Sequence, residues 1–210
     1  MHALIVVDIQ NDFLPGGSLA VPDGQAVIPV ANAAMERARK AGSIVVATQD
    51  CHPRNHGSFA SQHEHADVGT VIALDGLDQV LWPDHCIEGT PGVAFPEELR
   101  TDLIDRVFTK GGDPMVDSYS GFFDNDRRHA TGLAAFLRDH GVIAVSVLGL
   151  ATDYCVKFTA LDAVAEGFDT TLVLDGCRGV NLNPGDVDAA IADLRDRGVS
   201  IERSEEAKPC

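Results

Sequence analysis

A chain of 210 residues with 32 acidic against 16 basic side chains carries a formal charge of −16 at neutral pH. Such a polyanion repels phosphate backbones and anionic headgroups within a Debye length, which argues against nucleic-acid and membrane-surface partners. With 45% hydrophobic and 23% charged residues the composition is that of a folded α/β chain rather than a disordered one, and no apolar run reaches the roughly 18 residues of a spanning helix. The length suits one domain over residues 1–210.

The chain opens on MHALIVVDIQND, whose apolar run ends at Asp8. That run is too short for a signal-peptide core and has no basic flank, so residues 3–7 read as the first, fully buried strand of a cytoplasmic protein. A helix is expected over 26–41, where Val27, Val30, Ala31, Ala34 and Ala38 keep helical spacing and Gly42 follows as the stop. The stretch 43–48 (SIVVAT) is the second strand, and residues 51–95 form a long segment rich in His, Gly and Pro with little periodicity. Strands follow at 106–109, 144–148, 170–174 and 199–201, with helical patterns at 126–140, 154–166 and 185–197. Asn183, Pro184 and Asp186 announce the last helix as cap, first-turn proline and N3 acid.

Strands alternating with helices imply right-handed crossovers, hence a doubly wound α/β fold: a six-stranded, mainly parallel sheet with helices on both faces. Ligands in such sheets bind at the carboxyl ends of strands where the order reverses. Asp8, Asp50 and Lys110 each fall just after an expected strand, and Cys155 a few residues after another.

The familiar signatures for dinucleotides, P-loops and serine hydrolases are missing, since no G-x-G-x-x-G, G-x-x-x-x-G-K-[ST] or G-x-S-x-G occurs. His63, Glu64 and His65 lack the H-E-x-x-H spacing of a zinc helix and read as a solvated loop. The five cysteines, at 51, 86, 155, 177 and 210, are odd in number and form no C-x-x-C pair, which suits reduced thiols. Lysine occurs only at 40, 110, 157 and 208.

Cys155 in GLATDYCV opens an expected helix, where the macrodipole and free N–H groups favour a thiolate. The same position also suits a small buried apolar residue, which is the commonest use of a free cysteine. Asp8 could take a thiol proton and Lys110 could tune that carboxylate; alone, each reads as an ordinary strand-end charge whose replacement leaves the fold intact. Asp50 and His52 in QDCHPRNHGSF, with His85 in WPDHC, make a mixed oxygen and nitrogen set suited to Zn, Fe or Mn, although His-rich acidic loops are also common without metal.

With VVDIQNDF, QDCHPRNHGSF, WPDHC, TKG and GLATDYCV in this order, the sequence resembles the nicotinamidases and pyrazinamidases of the isochorismatase-like cysteine hydrolases. The resemblance spans residues 3–160 and implies a catalytic triad of Asp8, Lys110 and Cys155, with one divalent ion held by Asp50, His52 and His85. It further implies a pyridine ring bound between Phe13 and Trp82 with its nitrogen on the metal. An oxyanion hole of the Ala151 and Cys155 N–H groups, and a cis bond between Leu150 and Ala151, belong to the same implication. Where relatives often carry another histidine this chain has Ser58, expected to act through water, and Tyr154 is expected to shape the pocket beside the nucleophile. The expected reaction is hydrolysis of nicotinamide to nicotinate and ammonia in NAD salvage, on a small-molecule substrate, with a homo-oligomer compatible. Another small amide or carbamoyl hydrolase with the same triad, and a non-catalytic ligand-binding protein, are the alternatives.

Overall fold

The computed structural model describes residues 1–205; Lys208 and Cys210 lie outside the described residues. Strand β1 is His2–Val7, and its continuous apolar run from Ala3 to Val7 is wholly buried, as a strand covered on both faces requires. Helix α1 (Val27–Lys40) buries Val27, Ala31, Ala34, Met35 and Ala38 along one stripe and ends where Ser43 N–H closes on the Ala38 carbonyl at 2.9 Å. Then come β2 (Ile44–Asp50), a hairpin of β3 (Val71–Leu74) and β4 (Leu77–Val80), β5 (Arg106–Lys110) and α2 (Leu133–Asp139). The chain continues through β6 (Ala144–Leu150), α3 (Lys157–Ala165), β7 (Asp169–Arg178), α4 (Asp186–Asp196) and β8 (Ser200–Glu202).

Six strands form one parallel sheet in the order β5-β2-β1-β6-β7-β8. The chain moves outward from β1 through β2 to β5, then outward on the other side from β6 to β8, so the order reverses between β1 and β6. Right-handed crossovers put α1 on one face and the later helices on the other. The register sets Val7 beside both Thr48 and Gly149, and Asp50 beside Lys110. Asp8 follows β1 with a left-handed φ of 47°, which turns its side chain off the strand. Gly149 has φ 129°, and a Cβ there would stand 2.0 Å from the Val7 carbonyl oxygen, so only glycine lets β6 lie this close to β1. The peptide bond between Leu150 and Ala151 is cis.

Three expectations need correction. The helical pattern over 126–140 yields only α2, because the preceding segment folds onto Asp124, whose Oδ2 accepts the His129 backbone N–H at 3.0 Å and lies 2.7 Å from its Nδ1. Asn183 does not cap α4: Gly185 occupies that position, and Asp186 Oδ2 instead accepts the Asn183 N–H at 2.8 Å. The long segment 51–95 contains the β3–β4 hairpin, turning on Asp75 and Gly76, both left-handed at φ 46° and 87°. The Asp-Gly dipeptide in ALDGLD carried that signal. His63 is half-buried with Nε2 2.7 Å from the Gly57 carbonyl, while Glu64 and His65 are exposed.

Candidate active site

Strand register delivers Asp8, Asp50 and Lys110 to one buried spot, and the π turn Thr152–Val156 after β6 adds Cys155. Lys110 Nζ donates to Asp50 Oδ1 at 2.8 Å and to the Ser118 carbonyl at 2.7 Å, lies 3.0 Å from Asp8 Oδ2 and is 3.5 Å from Cys155 Sγ. The lysine expected to serve Asp8 alone is therefore shared between two carboxylates. It is also no solvated strand-end charge, being 4% exposed with its two acidic partners buried beside it.

Burial opposes the lysine's charge, but Asp50 and Asp8 outweigh it and hold the ammonium well above the ordinary lysine range. Burial likewise opposes ionisation of Asp50, and there Lys110 prevails, keeping the carboxyl well below the usual range. Asp8 goes the other way: burial raises it, and Lys110 compensates only in part. For Cys155 the expectation of a depressed thiol is overturned. Burial, with Asp8 and Asp50 nearby, pushes it well above the ordinary value despite Lys110, so the resting group is a neutral thiol that needs a base.

Asp8 presents two different oxygens. Oδ1 accepts the Thr48 hydroxyl at 2.6 Å, while the buried Oδ2 faces the Lys110 ammonium at 3.0 Å. Ligand atoms of Asp8, Asp50 and Cys155 lie within 4.8 Å of one another.

Asp50, His52 and His85 also bring their ligand atoms within 4.8 Å of one another, all buried. His52 Nδ1 lies 2.8 Å from the Gly111 carbonyl and His85 Nδ1 2.7 Å from the Pro83 carbonyl, so each ring donates from Nδ1 and turns an Nε2 lone pair inward. Those Nε2 atoms stand 3.4 Å and 3.7 Å from Asp50 Oδ2, and the buried His52 Nε2 has no hydrogen-bond partner. Two inward nitrogens and one carboxylate, with carbonyl groups fixing the tautomers, fit a divalent cation. Gly111 helps to seat the site, since a Cβ there would meet the His52 ring at 2.5 Å. Ser58 is buried, and its Oγ is 2.7 Å from His56 Nδ1 rather than in this donor group.

The four expected pocket residues, Phe13, Trp82, Ala151 and Tyr154, line one small cavity of about 30 Å³ with Asp50, His85 and Cys155. A wider surface depression of about 850 Å³, between Asn11, Asp12 and Gly17 on one side and Pro91, Gly92 and Glu98 on the other, is lined by none of Asp8, Asp50, His52, His85, Lys110 and Cys155. Its aromatic wall is a chain of edge contacts, Trp82 to Tyr154 at 4.9 Å and Tyr154 to Tyr119 at 5.4 Å between centroids.

Tyr119 was not foreseen, because its loop has no periodicity. Its hydroxyl accepts from the Trp82 indole N–H and from Gln79 of β4, both at 3.2 Å, and the same Gln79 amide donates to Asp117 at 2.9 Å. The signature VVDIQNDF hid two further roles. Gln10 grips the backbone of Asp50 from both sides, its Oε1 accepting the Asp50 N–H at 2.8 Å and its Nε2 donating to the Asp50 carbonyl at 2.8 Å. Asp12 accepts the Cys86 N–H at 2.7 Å, fixing the backbone next to His85.

The isochorismatase domain model matches residues 2–206. The nicotinamidase of Escherichia coli is 49% identical over 200 residues, covering 95% of this chain and 93% of that protein. Among solved structures, a nicotinamidase and pyrazinamidase from Acinetobacter baumanii superposes with a TM-score of 0.92 at 42% identity, covering 97% of this chain and 96% of that one. The pyrazinamidase of Pyrococcus horikoshii in complex with zinc gives a TM-score of 0.77 at 37% identity, covering 96% and 98%. A sheet that gathers a buried thiol, a carboxylate and a lysine beside three inward metal donors, together with a match over nearly the whole length, means that the chain belongs to the isochorismatase family.

Proposed function

We propose that this chain is a metal-assisted cysteine amidase that hydrolyses nicotinamide, and by the same chemistry pyrazinamide, to the carboxylic acid and ammonia in NAD salvage. The observation that carries this reading is the double use of Asp50, which joins Lys110 of the thiol cluster to His52 and His85 of the donor set, beside an aromatic-walled pocket that Asp50, His85 and Cys155 line. A flat heteroaromatic amide with a ring nitrogen on one side and a carboxamide on the other matches that arrangement. Nicotinamidase and pyrazinamidase relatives at 49% and 38% identity support the same substrate class.

Asp8 Oδ2 takes the Cys155 proton, and the thiolate adds to the amide carbonyl. The N–H groups of Ala151 and Cys155 hold the oxyanion, a contribution of about 2.7 to 4 kcal/mol for a donor of this kind. The carbon–nitrogen bond breaks, Asp8 returns the proton to departing ammonia, and a thioester remains on Cys155. Water then adds to the thioester carbonyl, releasing the acid and restoring the thiol. Lys110 keeps both carboxylates oriented throughout, and Phe13, Trp82 and Tyr154 flank the ring. Asp50, His52 and His85 would hold one divalent ion, Zn, Fe or Mn, supplying an electrophilic anchor for the ring nitrogen. Ser58 would add a contact through water.

No described helix is long and apolar enough to cross a membrane. The four described cysteines are free, which supports the cytoplasmic reading.

Ammonia release from nicotinamide, assayed with metal content before and after chelation, tests the proposal. Purified protein is expected to carry about one divalent ion per chain, and stripping it is expected to raise KM at least as clearly as it lowers kcat. Full activity in chelator with no bound metal would instead favour a metal-free amide or carbamoyl hydrolase of the same family.

A further inference from the structure

Thr48 lies on β2 with its backbone opposite Val7 of β1, one residue before Asp8, and is wholly buried. Its two γ groups have separate neighbours. The hydroxyl donates to Asp8 Oδ1 at 2.6 Å. The methyl abuts Gly121, where an added Cβ would come within 2.5 Å of Thr48 Cγ2. That glycine is itself tied down, its N–H donating to Thr159 Oγ1 of α3 at 2.9 Å. A β-branched side chain with its methyl seated in this way has one χ1 well open to it, and in that well the hydroxyl faces the carboxylate.

We propose that Thr48 is a positioning residue for the proton transfer: by occupying Asp8 Oδ1 it leaves Oδ2 as the single oxygen that takes the Cys155 proton and later returns it to the leaving amine. This rests on the reading of Asp8 as base and Cys155 as nucleophile. Oδ2 fits the part: it is buried, and the group set against it is the Lys110 ammonium, 3.0 Å away. Without the hydroxyl nothing holds Oδ1, so the Asp8 carboxylate can rotate about its terminal torsion and exchange its two oxygens at Lys110, and the oxygen that must meet the thiol is no longer fixed. A misplacement of that order costs up to about 100-fold in rate.

The two halves of the side chain are separable by substitution. Thr48→Val keeps the shape and deletes the hydroxyl; Thr48→Ser keeps the hydroxyl and deletes the methyl. For each, kcat and KM for ammonia release from nicotinamide would be measured, along with the rate at which iodoacetamide alkylates Cys155, which needs no substrate. The expected result is a fall in kcat of about 10-fold to 100-fold for Val with KM little changed, slower alkylation of Cys155, and rescue of both by Ser. The reverse order, with Val near the parent and Ser impaired, would make Thr48 a packing residue against Gly121 and overturn the proposal, as would parent-like rates in both. If Val did not fold, Ser against Ala decides it, because both lack the methyl and only Ser keeps the hydroxyl; equal rates in that pair overturn the proposal. Should the parent protein release no ammonia from nicotinamide, the substrate reading fails while the alkylation rates still judge Thr48.

Discussion

Cys155→Ala is expected to lower ammonia release by about 10⁴-fold or more, the scale seen when a covalent nucleophile is removed from a catalytic unit. The expected loss falls on kcat, because the metal donors and the aromatic wall that hold the ring are untouched. Nicotinamide binding by calorimetry should therefore survive, and the thermal midpoint should stay near that of the parent, since the thiol contributes one buried sulfur and a 3.5 Å contact to Lys110. Cys51, Cys86 and Cys177 cannot substitute. None of the three is placed with the base and the lysine: the described thiol that groups with Asp8 and Asp50 and lies 3.5 Å from Lys110 Nζ is that of Cys155. Near-parent turnover in this variant would rule out the thioester route.

Lys110→Met is expected to abolish turnover and also to destabilise the fold. Replacing a buried cation leaves Asp8 and Asp50 facing each other without compensation, a loss on the order of 3 to 5 kcal/mol for a broken buried pair. The sign with pH follows from the shifts. Asp50 has a lowered carboxyl pKa, so its contribution is present above the ordinary carboxylate range and is lost as pH falls through the depressed value. Lys110 has a raised pKa, so its contribution holds below the ordinary lysine range and is lost only as pH rises through the raised value. The pair thus stabilises across the neutral window. In metal-stripped protein the deficit of Lys110→Met should shrink on acidification, as the two carboxyls protonate, and urea denaturation at two pH values measures it. An unchanged stability at neutral pH would contradict the burial of the ion cluster.

These effects show which parts of the site could be read from the chain. Asp8, Asp50 and Lys110 were legible because each closes a stretch that reads as a strand, a fully buried apolar run in the case of Asp8, and parallel strands bring their carboxyl ends to one edge. What Lys110 touches was not legible, since that depends on β5 pairing with β2 at the register of Asp50 and Lys110. Local reasoning about Cys155 gave the wrong sign because the helix dipole acts weakly against complete burial beside two carboxylates. Gln10 and Asp12 stood in a recognised motif, yet their work is on backbone groups 40 and 74 residues away in the chain. Tyr119 carries no periodic or motif signal, and Thr48, although it falls in the expected second strand, carries none for its partner; only the packed structure brings one to the pocket wall and the other to Asp8. The shortened α2 is a case of tertiary and side-chain bonding around Asp124 overriding helical spacing.

The central claim is a covalent intermediate on one sulfur, and the most direct measurement is rapid acid quench of the protein during turnover of nicotinamide, followed by peptide mapping by mass spectrometry. A nicotinoyl group on the peptide containing Cys155, formed within the turnover time and lost when substrate is exhausted, is the expected result. Steady ammonia release with no acylated Cys155 peptide, or with the acyl group on another cysteine, would contradict it.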